Sequence, residues 1–309
     1  MRLLRFALLI LAGVAASAAQ AFELEIQPVS ARAYALVGPI HGRTAENMAL
    51  NATFGFVVAE DGVILIDSGA SAAGAALIAR QIASVTDLPV RWVINTGAQD
   101  HRWLGNGYFR DHGAQIIALA RTVDNQKAYA RQHLERLAAV MGAPQPDTVP
   151  TYADPPLPGD GAPLTLGGVE LQIRWLGGAH FPDDVVVIVP SEDTIFAGDL
   201  VFNERLLGIQ PDGASVVRDW ARTFDAMAAL APAHVVPGHG HAADLARARA
   251  DTGDYLHWLL DNIAPAVADF EDIEAVTDRL TDSPFRRLAN YDAWHRRNVN
   301  FTFLQLEVE

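Results

Sequence analysis

The chain has no cysteine among its 309 residues, which removes disulfide staples, a lipidated cysteine anchor and thiolate metal ligands together. Any metal must therefore be held by nitrogen and oxygen. Positive charge is scarce as well: 23 Lys and Arg against 37 Asp and Glu leave a formal net charge of −14. A surface of that sign repels phosphate backbones and anionic headgroups over a Debye length, so nucleic acid and anionic membranes are poor partners and a basic protein surface is a better one. Beyond the first residues, no apolar run approaches the roughly 20 residues that cross a bilayer.

The N-terminal run is the exception. Arg2 and Arg5 precede an apolar stretch over residues 6–16, and Ala19-Gln20-Ala21 has the small-x-small pattern of signal-peptidase cleavage. Residues 1–21 read as a signal peptide, with a mature chain that begins near Phe22, is periplasmic or secreted, and has no stable membrane insertion after cleavage. With 50% hydrophobic and 19% charged residues, residues 22–309 can bury a large core and read as one globular domain.

Short β-branched runs at 54–58 and 63–66, joined by Glu60-Asp61-Gly62, predict a hairpin. A helix over 72–85 follows, with Leu77, Ile78 and Ile82 on one face, then a strand at 91–94 and another at 116–118. Residues 122–141 carry a thin apolar stripe and read as an exposed helix. Pro144, Pro146, Pro150, Pro155, Pro156 and Pro158 then break all periodicity, marking a linker or a lid. The second half repeats the outline: a hairpin at 164–166 and 169–175 around Gly167-Gly168, strands at 185–189 and 194–197, a helix at 216–230, a strand at 234–236 and mostly helix over 245–267. Two hairpin-plus-helix halves predict an α/β protein, an αββα four-layer sandwich with its halves joined by the proline-rich stretch.

Polar residues gather where these strands end. Asp67, Asn95, Asp199 and His239 each fall at or just past a predicted strand terminus, and His180 lies in a glycine-rich loop. Such loops let several side chains converge on a ligand while the strands fix their bases.

Four motifs carry a resemblance. Asp67-Ser68-Gly69, Gly178-Ala179-His180-Phe181-Pro182-Asp183-Asp184, Ala197-Gly198-Asp199 and Val236-Pro237-Gly238-His239-Gly240 resemble the successive motifs of metallo-β-lactamase-fold hydrolases, in that family's order and at its spacings. The family's His-x-His-x-Asp-His is replaced here by Asn95-Thr96-Gly97-Ala98-Gln99-Asp100-His101-Arg102. An ungapped register turns the first two histidines into Gly97 and Gln99, the Asp into His101 and the last His into Arg102. If the segment is extended, Gln99 and His101 face the site and Asp100 faces away. A one-residue slip instead keeps Asp100-His101 as the family's Asp-His pair. The run from Thr96 to Asn106 is similar to one in exported quinoprotein relay system zinc metallohydrolases, which implies a role beside a periplasmic quinoprotein dehydrogenase or carrier.

The resemblance implies zinc, held by His101, His180, Asp199 and His239. That set suffices for one ion and not two, since a catalytic zinc takes three protein ligands and leaves a position for water. Asp100 is the candidate to position or deprotonate that water if it faces inward, and Arg102 the candidate to hold an anionic substrate group. Asp67 reads as ordering the strand-end loops. Three functions follow: a mono-zinc hydrolase of a small-molecule ester, thioester, lactone or amide; a non-catalytic binding or relay protein on the same fold; and a mononuclear iron oxygenase.

Overall fold

A computed structural model describes residues 22–210 and 216–308; the expected signal peptide, residues 1–21, lies outside the described residues. Elements run β1 (Glu25–Pro28), β2 (Ala33–Val37), β3 (Thr53–Val58), β4 (Val63–Ile66), α1 (Ala72–Ala83), β5 (Val90–Ile94), α2 (Asp100–Trp103), α3 (Asn106–Asp111), β6 (Gln115–Ile117) and α4 (Ala120–Met141). The second half holds β7 (Gly161–Leu166), β8 (Val169–Arg174), β9 (Val186–Val189), β10 (Thr194–Phe202), α5 (Val217–Ala228), β11 (His234–His239), α6 (Leu245–Ala248), α7 (Asp254–Ala268), α8 (Ile273–Arg279) and α9 (Tyr291–Glu307).

The first sheet has the order β1-β2-β3-β4-β5-β6 and the second β11-β10-β9-β8-β7. In each, hairpin-linked strands are antiparallel, while β4–β5, β5–β6 and β10–β11 pair parallel because a helix intervenes. Alternation along the strands sorts side chains to two faces. Ala35, Val57, Ile64 and Ile66 of the first sheet meet Leu171, Ile173, Val187 and Phe196 of the second in a buried apolar layer between them. The opposite face of the first sheet, with Phe54, Phe56, Leu65 and Val93, is covered by Leu77, Ile78 and Phe109. Trp220, Phe224, Leu256, Leu259 and Phe303 cover the second sheet's outer face. Helices outside two stacked sheets give the αββα sandwich that the alternating pattern predicts.

The proline-rich stretch is pinned beneath the first sheet. Leu157 exchanges backbone hydrogen bonds with Ala118 and Ala120, the Thr148 hydroxyl accepts from Ala72 N–H at the start of α1, and the Thr151 carbonyl accepts from Asn106. It is a tethered linker; none of its residues lines the cavity described below.

Candidate metal centre

Two strands and one short helix deliver the site. His239 is the last residue of β11. Asp199 lies inside β10, which the alternation predicts to end at Ala197 but which continues to Phe202. Between Gly198 and Phe202, β10 takes four steps while β11 takes two from Pro237 to His239. The surplus forms a bulge that re-aims Asp199, and Gly198 at φ +53° supplies its left-handed turn. His101 comes from α2. The segment is not extended as far as His101: the chain turns into a helix at Asp100, whose acidic side chain suits a helix N-terminus and accepts the His101 N–H at 2.8 Å.

His101 Nε2 lies 3.0 Å from Asp199 Oδ2, and His239 Nε2 lies 3.3 Å from Asp199 Oδ1. The three side chains are buried, and their donor atoms fall within 4.8 Å of one another, the one such cluster among the described residues. Burial opposes the charge on Asp199, but the Arg102 guanidinium and His101 beside it hold its carboxyl well below the usual range. Burial and neighbouring Arg205 keep His239 neutral.

Residues 49–239 match the family model described as the metallo-beta-lactamase superfamily. The chain belongs to the metallo-beta-lactamase superfamily. It is similar to the metallo-beta-lactamase type 2 of Bacteroides fragilis, 30% identical over 169 residues that cover 50% of this chain and 59% of that protein. The match thus spans less than two thirds of that relative's length. Among solved structures it resembles the metallo-beta-lactamase from Pontibacter korlensis, with a TM-score of 0.58 and 19% identity over 76% of this chain and 99% of that one. The DIM-1 metallo-beta-lactamase gives 0.58 at 18%, over 76% and 98% of the two chains. At those identities the likeness speaks for the fold.

The donor set of this superfamily member fits one metal ion. Each histidine has two neighbours at Nδ1, an acceptor and an arginine: Asp100 Oδ1 at 3.1 Å and Arg43 Nη2 at 2.7 Å for His101, Asn51 O at 2.9 Å and Arg205 Nη1 at 3.1 Å for His239. A neutral ring cannot donate and accept at one nitrogen. When Nδ1–H faces the acceptor, Nε2 presents a lone pair to the Asp199 carboxylate. Two lone pairs facing one carboxylate repel unless a cation lies among them, and an acceptor behind each ligating imidazole is the usual support of a metal site.

His180 reaches the same cavity without joining the triad. Its ring packs against Trp220 and Phe202, with centroids 5.3 and 5.8 Å away, and its buried Nδ1 finds no partner among the described residues. Burial pulls its pKa down to about 4, so it stays neutral.

The structure corrects two roles. Arg102 does not line the cavity and cannot hold a substrate anion, because all five of its N–H groups are spent. Nη1 donates to Thr53 O at 3.0 Å and Asp67 Oδ2 at 3.1 Å; Nη2 donates to Gly238 O at 2.9 Å and to Asp199 Oδ1; Nε donates to Asp199 Oδ2 at 3.3 Å. Asp100 likewise does not line the cavity. Its oxygens are occupied by Arg43 Nη1, at 2.6 Å, and by His101, so it supports a ligand and is not placed to act on water. Asp67 orders the loops as expected, accepting from Thr96 N and Oγ1, each at 2.7 Å. Trp103 is packing, fully buried against Tyr152.

The missing first histidine has a physical counterpart. A Cβ at Gly97 would stand 2.5 Å from Asp184 Oδ1, so the Asp184 carboxylate fills the space a side chain there would need. Gln99 does line the cavity, its Nε2 buried without a partner among the described residues. Sequence reasoning missed Arg43, Asn51, His133, Arg136 and Arg205, which also line it. They sit in loops or on an exposed helix with no motif to flag them.

Proposed function

We propose that this chain is an exported, zinc-dependent hydrolase with one ion per chain, acting on an ester, thioester, lactone or amide of small size. The observation that carries this is the buried His101–Asp199–His239 triad opening into a cavity of about 200 Å³. That volume lies below the roughly 300–1,000 Å³ of sites for drug-sized ligands, so a small molecule or the end of a larger one fits. Zinc held by three such ligands supplies a water that ionises near neutral pH.

The chain's own residues set the stage. Arg102 keeps Asp199 ionised and fixed in the bulge, Asp100 and Asn51 O orient the two imidazoles, and neutral His180 faces the cavity as a proton acceptor or hydrogen-bond partner for substrate. The name of the Bacteroides relative supports acyl–nitrogen bonds among the targets. The resemblance of residues 96–106 to quinoprotein relay system zinc metallohydrolases supports a working place beside a periplasmic quinoprotein dehydrogenase, and the pattern of residues 1–21 supports export.

Assaying the zinc-loaded chain against esters, thioesters, lactones and lactams tests this. Turnover lost together with zinc in His239→Ala supports it. Stoichiometric zinc without turnover of any class overturns it in favour of a binding protein, and activity that rises with iron and oxygen overturns it in favour of an oxygenase.

A further inference from the structure

Helix α4 carries a second stripe besides its apolar one. Ala130, Leu134, Leu137 and Met141 cluster with Trp103 and Leu104, whereas Tyr129, Gln132, His133 and Arg136 line the cavity. Positions 129, 132, 133 and 136 follow the i, i+3, i+4, i+7 spacing of one helix face. A face that only packed would be apolar, and one that only met water would not bury a histidine.

Two polar groups of this wall are buried and unmatched. His133 is 2% exposed, and its Nδ1 has no hydrogen-bond partner among the described residues. Gln99 is 7% exposed, and its Nε2 likewise has none among them. Gln99 stands at the N-cap of α2, the short helix that packs against α4, yet its side chain makes no capping bond. Tyr129 stacks on His133 with ring centroids 5.8 Å apart and meets Phe181 edge-on at 5.9 Å, which carries the wall on towards His180. Buried polar groups are matched as a rule, so two unmatched ones beside a cavity point to a ligand that supplies their partners.

The complementary group is uncharged. The Gln99 amide is neutral, and burial lowers the His133 pKa to about 4, so at neutral pH its ring has one N–H and one lone pair. A carboxylate buried against these two would shed its hydration and gain no counter-charge from them. The cation of the stripe, Arg136, is exposed, where water solvates it. Gln99 Nε2 needs an acceptor oxygen, and His133 Nδ1 accepts an N–H when its own proton sits on Nε2. An amide offers both in one plane; a ketone or an ester offers only the oxygen.

We propose that Gln99 and His133 form a recognition site for an uncharged amide group of the substrate, walled by Tyr129. This rests on the small-molecule hydrolase reading and narrows its substrates to amide-bearing ones. It gives Gln99 and the inner face of α4 a part that neither the metal triad nor the packing of the helix assigns.

Benzamide, its isosteric ketone acetophenone, and benzoate serve as probes, titrated into the full zinc-loaded chain and followed by saturation-transfer NMR. Benzamide should bind saturably and about three- to ten-fold tighter than acetophenone, the effect of one neutral hydrogen bond. That comparison needs no variant to fold. Gln99→Met keeps bulk without the amide and should weaken both ligands by about three- to ten-fold. His133→Phe keeps a ring without the nitrogens and should weaken benzamide alone by the same factor, with zinc content unchanged in both variants. Because binding is read without turnover, benzamide binding through Gln99 and His133 in a chain that hydrolyses nothing sinks the hydrolase reading and leaves the amide site standing. Unchanged benzamide affinity in either variant, or no preference for benzamide over acetophenone in the wild type, overturns the proposal. So does benzoate that binds more tightly than benzamide through the same two residues.

Discussion

Arg102 grips Asp199 with two arms, Nη2 donating to Oδ1 and Nε to Oδ2 at 3.3 Å. The pair is 1% and 0% exposed at its side chains, so the carboxylate that would hold a metal already carries a permanent internal counter-cation. Asp67 shares the same guanidinium. Burial pushes the Asp67 carboxyl upward, an effect that Arg102 counters.

Removing that cation should be costly to the fold itself. Arg102→Met leaves two buried carboxylates and two backbone carbonyls without their donor, and breaking a buried pair from one side costs about 3–5 kcal/mol. Chemical denaturation in the presence of a chelator, which separates folding from metal binding, should register a loss of that order. A loss under about 1 kcal/mol would mean the network is solvated in solution.

Asp100→Asn separates a supporting residue from a base. Asp100 Oδ1 lies 3.1 Å from His101 Nδ1 and does not itself line the cavity, so the substitution should weaken zinc affinity by roughly 10- to 100-fold, the usual cost of losing an outer partner of a ligand. Turnover should recover when zinc is raised to saturation. A kcat that stays low by about 10²- to 10⁴-fold at saturating zinc would instead mark Asp100 as a general base.

His133 gives a pH signature apart from the metal triad. It is 2% exposed, stacks on Tyr129, and has a buried Nδ1 without a partner among the described residues. Burial lowers its pKa to about 4. An unfolded histidine titrates near 6.5, so between those values the unfolded chain takes up a proton that the folded chain refuses. Stability from this group is therefore full above about pH 7 and lost as pH falls towards 4, by an amount on the order of 1–3 kcal/mol. His133→Phe keeps a ring in place and lacks the titration. Its denaturation free energy, compared with wild type across pH 7 to 4, should improve relative to wild type as pH falls; parallel curves would show that His133 is solvated.

The legible parts of the site were those with a local signature. Asp199 and His239 sit among glycines at the ends of strands that the pattern predicts, and alternation in β3, β4, β8 and β9 gives the two sheets and their inner faces. His101 was legible as a ligand, but not the geometry that presents it, because α2 has four residues and four residues carry no periodicity. Arg102 was misread because its partners, Asp67, Thr53, Asp199 and Gly238, lie far from it along the chain, and a charge saturated by long-range contacts looks in sequence like a free one. The clash that excludes a side chain at Gly97 depends on Asp184, from the other half of the molecule.

The central claim is one metal ion held by His101, Asp199 and His239, and metal counting tests it most directly. The full chain is loaded with excess zinc, desalted and analysed by inductively coupled plasma mass spectrometry, with His239→Ala and Asp199→Ala in parallel. About one zinc per chain for the wild type and close to none for either variant is the predicted result. Two zinc ions per chain would show that Arg102 yields its hold on Asp199 to a second ion, and a wild-type chain that retains none would contradict the metal centre altogether.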